Sequence, residues 1–252
     1  MTRLAIPLAL LLALAASARA EAILPPFGPP PFDPAAFAPG QAIDNPYFPL
    51  AEGFYRALTA PFTDADGAPA DEMIVLQFGG PGPVLGGVQT TIQLDQAFEG
   101  GLMVEETRDF YAQDRDGNVW YLGEDSTTIL YDADDRVTGT NSHSSWRTGV
   151  NGAVPGLQMP AKPATGFSYE QEHAPVDEAM DQAEILSVDG AFSGPAGAYA
   201  NVVATYETSS IDPKLQEVKY YAPGIGLVRA EEAVDAQKAN PELTFDLIRT
   251  TP

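Results

Sequence analysis

Val88-Gln89-Thr90-Thr91-Ile92-Gln93-Leu94 alternates without a break: Val88, Thr90, Ile92 and Leu94 share one side, and Gln89, Thr91 and Gln93 the other. A period of two is that of a strand with one face buried and one solvated, and β-branched residues suit its pleat. Outward from it the chain reads as further short runs broken by Gly, Pro and Asp. Towards the N-terminus lie 53–58 and 73–78. Towards the C-terminus lie 102–113, 119–123, 127–131, 167–172, 183–188, 198–208, 216–221, 227–232 and 243–250. About a dozen strands with little helix make an antiparallel sheet that curls or closes. The stretches 79–83, 193–197 and 223–226, rich in Gly and Pro, read as turns between strands. Only 175–182 has helical character, with Pro175 at its start and Asp177 and Glu178 in the first turn. The expected fold is therefore mainly all-β: a curved antiparallel sheet or half barrel with at most one or two short helices.

The N-terminus sets the compartment. Arg3, the apolar run from Leu4 to Ala16 and Ala18-Arg19-Ala20 have the layout of a secretory signal cut before Glu21. Residues 1–20 are thus expected to be removed and the protein exported, to the periplasm or the exterior. The run is shorter than the ~20 residues of a membrane span, and no later stretch reaches that length. The 252 residues contain no cysteine, so neither a lipid thioether nor a disulfide is available and the core alone must hold the fold. Residues 21–49 form a proline-rich arm, read as a spacer or as a strap held by Phe27, Phe32 and Phe37. Residues 50–252, with no fixed-period repeat, read as one antiparallel β domain. Thirteen Lys and Arg stand against 35 Asp and Glu, a formal net charge of −22. Such a surface repels nucleic acid and anionic lipid headgroups.

Few residues are placed for chemistry. Asp114-Arg115-Asp116-Gly117-Asn118 opens like a calcium loop, with oxygens at alternate positions, and also like a hairpin turn built on Asp-Gly. Its glycine comes at the fourth position rather than the sixth, and Glu124 follows close by. Asp114, Asp116, Asn118 and Glu124 are the candidate metal ligands, for calcium; no cofactor is required. The two histidines, His143 and His173, lie thirty residues apart without ligand spacing. Neither a nucleophile elbow nor a catalytic thiol occurs. Adjacent acids such as Glu105 and Glu106 point to opposite faces of a strand, so they do not form a hydrolytic dyad by themselves. The aromatics of the strands, Trp120, Tyr121, Trp146, Tyr169 and Tyr220, are candidate contacts for a guest on a concave sheet, or else core.

Four blocks resemble a family of uncharacterised exported bacterial proteins. They are residues 43–50 (Ile-Asp-Asn-Pro-Tyr-Phe-Pro-Leu), 109–124 around Asp114–Tyr121, 145–160 from Ser-Trp-Arg-Thr-Gly, and 219–228 (Lys-Tyr-Tyr-Ala-Pro-Gly-Ile-Gly-Leu-Val). By looser analogy the strand-rich plan is similar to the LolA-like half-barrel carriers of the bacterial envelope. That resemblance implies a lipid or apolar ligand in a concave sheet, and supplies no catalytic residues. It also implies a more regular strand pair between Pro61 and Gly101, in place of which this chain carries a glycine-rich insertion. The expected function is a soluble, non-enzymatic binding protein for an apolar or lipid-like molecule. A calcium-stabilised interaction module is the alternative, and a two-carboxylate hydrolase the third.

Overall fold

The computed structural model describes residues 30–63, 68–212 and 214–251. The expected signal sequence, Phe27 and residues 64–67 lie outside the described residues. The chain begins with a 3-10 turn, Pro34–Ala36, and a hairpin of β1 (Ile43–Asn45) and β2 (Phe48–Leu50). A meander follows: β3 (Tyr55–Thr63), β4 (Pro69–Leu85), β5 (Val88–Glu99), β6 (Leu102–Gln113) and β7 (Val119–Tyr131). Five short strands come next, β8 (Val137–Asn141), β9 (Trp146–Arg147), β10 (Val154–Met159), β11 (Ser168–Glu170) and β12 (Glu172–His173). A second meander completes the chain: β13 (Asp181–Gly194), β14 (Gly197–Ser209), β15 (Gln216–Ala222), β16 (Gly226–Glu232) and β17 (Leu243–Thr250).

The two meanders join where β17 pairs antiparallel with β3, so a single sheet runs from β11 through β13–β17, then β3–β7, to β10 and β12. Its two edge strands, β11 and β12, are neighbours in the chain with only Gln171 between them. The segment 168–173 bonds β13 through Tyr169 and Glu170 and bonds β10 through Glu172 and His173. The expected curved sheet is thereby carried almost to closure, which leaves little free edge to aggregate.

Two expectations about local structure are corrected. The stretch 175–182 is a turn and not a helix: Glu178 sits at φ 58, Ala179 N–H bonds the Ala174 carbonyl, and β13 starts at Asp181. A left-handed residue four positions in ends any helix there. The glycine-proline stretch 79–83 is not a turn but lies inside β4, where bulges between Phe78 and Gly80 and between Pro81 and Val84 bend the strand. Residues 69–99 form one long hairpin, β4–β5, which these bulges bend without interrupting. The stretches at 194–197 and 223–226 do turn between strands.

The arm straps the outer face of β5–β7. Phe32 and Phe37 meet the Trp120 indole at ring distances of 5.4 and 6.3 Å. The Arg115 guanidinium donates to the carbonyls of Ala35 and Phe37, and the Gln41 amide donates to the Asp114 carbonyl. The β1–β2 hairpin that follows goes to the concave side, with Ile43 and Leu50 fully buried. Gln113 clasps it: its Oε1 accepts the N–H groups of Asp44 and Asn45, and its Nε2 donates to Asp44 Oδ1. The element that fills part of the barrel is thus a hairpin of this chain.

Candidate functional site

Beneath that hairpin the barrel keeps a cavity of about 260 Å³. Strand alternation decides its lining. On β5 the residues facing it are Gln93 and Asp95, the polar side of the alternating stretch, while Val88 and Thr90 are buried on the other face. On β15 they are Glu217, Lys219 and Tyr221. Asp109 and Tyr111 of β6 also face in.

On β7 a bulge changes the phase. Asp109 pairs with Glu124, but Tyr111, two residues on, pairs with Tyr121, three residues back. Tyr121 and Glu124, which strict alternation would set on opposite faces, therefore both line the cavity. Gly123 permits this: at φ 144, a Cβ there would lie 2.5 Å from the Trp146 carbonyl oxygen. The Tyr121 hydroxyl then stands 2.7 Å from Asp109 Oδ1 and 2.7 Å from Glu124 Oε2.

Carboxylates dominate the lining. Asp95, Asp109 and Glu124 come from β5–β7, Glu172 and Asp181 from the seam, and Glu207, Glu217 and Glu232 from β14–β16. Lys219 is the one basic side chain among the lining residues, with Nζ 2.9 Å from Glu207 Oε2 and 3.0 Å from Glu217 Oε2. Burial alone would raise the Glu207 carboxyl, but the Lys219 charge and its hydrogen bond hold it below its ordinary value. Apart from Glu217, the others lack such a partner among the described residues. Burial, followed by hydrogen bonds from Tyr121 and Gln93 that hold it back, leaves Asp109 pushed up to about 6. Burial likewise takes Asp181 to about 7, and burial with the Glu217 charge takes Glu232 to about 8. Burial and neighbouring carboxylates raise Asp95, Glu124 and Glu172 well above the usual range. Charge of one sign packed this closely in low dielectric is costly unless protons or cations compensate it.

Of the five aromatics expected to face a guest, Tyr121 alone lines the cavity. Trp120 is on the opposite face of β7, under the arm, with its indole N–H 2.9 Å from Asp114 Oδ2. Trp146 is buried behind the lining, edge-on to Tyr121, its N–H 3.0 Å from Glu172 Oε1. Tyr169 is buried against Phe167, and Tyr220 bonds Glu231 on the outer face of β15. The aromatic concave face expected from the sequence is replaced by an acid-rich one with Tyr111, Tyr121, Tyr221, Phe48 and Phe54 among the carboxylates.

The four candidate calcium ligands are not brought together. Asp114 is buried, and its two oxygens accept four donors: the backbone N–H groups of Asp116 and Asn118, the Asn118 amide and the Trp120 indole. Asn118 Oδ1 accepts the Ala161 N–H, Asp116 is exposed, and Glu124 faces the cavity with Tyr121. The motif is a turn whose first aspartate ties it to the strand after it. Among the described residues no three His, Cys, Asp or Glu side chains are grouped to hold a metal ion.

Asp95, Asp109, Glu172, Asp181, Glu207 and Lys219 escape motif reading because they are spread over six strands. Their signal is polar residues repeating at every second position next to an aromatic, as in Glu217, Lys219 and Tyr221.

No protein-family model and no curated protein matches the chain. Among solved structures it is similar to the crystal structure of a "putative lipoprotein" from Parabacteroides distasonis, with 14% identity and a TM-score of 0.35 over 81% of this chain and 98% of that one. That likeness is too distant to bear on function. Among the described residues no helix is long and apolar enough to cross a membrane.

Proposed function

We propose that this chain is an exported, non-enzymatic binding protein whose ligand is a small organic cation, an amine or polyamine, held in the barrel lumen. One observation carries the reading: eight carboxylates and one lysine surround a single cavity of about 260 Å³, and that lysine is already paired with Glu207 and Glu217. Six acids are left without a basic partner among the described residues. The Asp95 carboxylate among them has no hydrogen-bond partner among the described residues and faces the cavity. Ammonium groups would supply the missing charge and donors, and the neighbouring tyrosine and phenylalanine rings would favour the same cation over an anion. An apolar or lipid-like guest would instead strand these carboxylates without solvent. A two-carboxylate hydrolase fits less well, because the Tyr121 hydroxyl fills the space between Asp109 and Glu124 where a scissile bond would lie.

Native mass spectrometry of protein purified without chelator, followed by a spermidine titration read by tryptophan fluorescence, tests this. Spermidine should bind, with the signal lost in Trp146→Phe, whose indole bonds the lining residue Glu172, and kept in Trp120→Phe. A co-purified fatty acid, or no response to spermidine, would overturn the reading.

A further inference from the structure

The hydroxyl of Tyr121 has one proton and two carboxylate oxygens at 2.7 Å, Asp109 Oδ1 and Glu124 Oε2. It can donate to only one of them. Were both carboxylates ionised, the other contact would set lone pair against lone pair at hydrogen-bond distance. The arrangement is complete only when one of the two acids is protonated and donates to the tyrosine.

The fold builds this arrangement. Without the bulge at Gly123, Glu124 would leave the lumen, and that glycine is required by the 2.5 Å approach of the Trp146 carbonyl. The acids around the pair add to the same demand, while Gln93 and Lys219 oppose it. From β5, Asp95 brings a further acid and Gln93 an amide whose Nε2 is 3.4 Å from Asp109 Oδ2. On β6, Glu105 acts on both acids, and Tyr111 lies stacked on Tyr121 with ring centres 4.7 Å apart. At the seam, Glu172 adds negative charge. Lys219 of β15 is the one cation facing them among the described residues, and it is engaged by Glu207 and Glu217.

Building on the cation-binding reading above, we propose that the ligand-free lumen stores a proton on Asp109, Tyr121 and Glu124, and that an entering cation expels it to solvent. The proton leaves an O–H of the pair for buffer, and the ligand's charge replaces it, so no other reactant is involved. Uptake is then proton-linked: affinity for the cation rises as pH rises, by up to about tenfold per pH unit for one proton released.

Isothermal titration of spermidine near neutral pH, in two buffers of different ionisation enthalpy, counts the protons released. At least one per ligand is expected, and Glu124→Gln should lower that number by about one. Binding without buffer-dependent heat, or the same release from the variant, would overturn the inference while leaving the cation reading standing. If spermidine does not bind to either protein, the cation reading fails. The infrared carbonyl band of protonated carboxyl groups in the ligand-free protein then decides: intensity lost in Glu124→Gln supports the stored proton, and no loss overturns it.

Discussion

A Cβ added to Gly156 would lie 2.0 Å from the carbonyl oxygen of Gln171 and 2.2 Å from its carbonyl carbon. Gly156 is in β10 and Gln171 is the link between the two edge strands, so this contact is where the sheet meets itself. No side chain fits there, because both neighbouring atoms are backbone and cannot turn away.

Gly156→Ala should therefore destabilise the fold by at least the roughly 1–3 kcal/mol of an overpacked core. It should also loosen the seam, seen as faster amide exchange at Gln171 and Tyr169. An alanine variant with the thermal midpoint and exchange of the parent would remove Gly156 as the closing residue.

The turn at Asp114 separates structure from metal. Asp114→Ala leaves four N–H donors without their acceptor, two on the backbone, one on Asn118 and one on Trp120, and should cost about 3 kcal/mol or more. Asp116→Asn, at an exposed position, should change stability by less than about 0.5 kcal/mol. Thermal melts of both variants with and without calcium check this, and a calcium-dependent loss in Asp116→Asn would restore the calcium-loop reading.

The lumen acids also set the pH dependence of stability. Asp109, Asp181 and Glu232, pushed up to about 6, 7 and 8, hold protons in the folded chain that they release at their ordinary values of 3.8, 3.8 and 4.5 when it unfolds. Between those values the folded state binds more protons, so ligand-free stability falls as pH rises from about 4 to about 8, by about 1.4 kcal/mol per excess proton and pH unit. Glu207 works in the opposite sense: held low by Lys219, it stabilises above its ordinary value and loses that contribution in acid. Thermal midpoints measured between pH 5 and 8 should decline, and Asp181→Asn should flatten the decline. A midpoint that rises with pH over that range would show that the lumen acids are ionised in the empty protein.

The sequence by itself determined the strand content and the antiparallel plan. Alternation at 88–94, and the Gly and Pro breaks around it, are local properties of backbone sterics and side-chain period. It also marked the arm residues Phe32 and Phe37 as the points of a strap. It did not determine which face of each strand became the lumen. In a flat sheet the polar side of 88–94 belongs to solvent; once the sheet curls nearly to closure, Gln93 and Asp95 turn inward, while Val88 and Thr90 are buried on the other face. Nor could spacing place Tyr121 with Glu124, because a bulge at Gly123 reverses the alternation between them. Eight strands, β5–β7 and β12–β16, contribute the acids and the lysine of the cavity, and only closure brings them within reach. Curvature and bulges are properties of the whole sheet, and they decided where the charge of this acidic chain is concentrated.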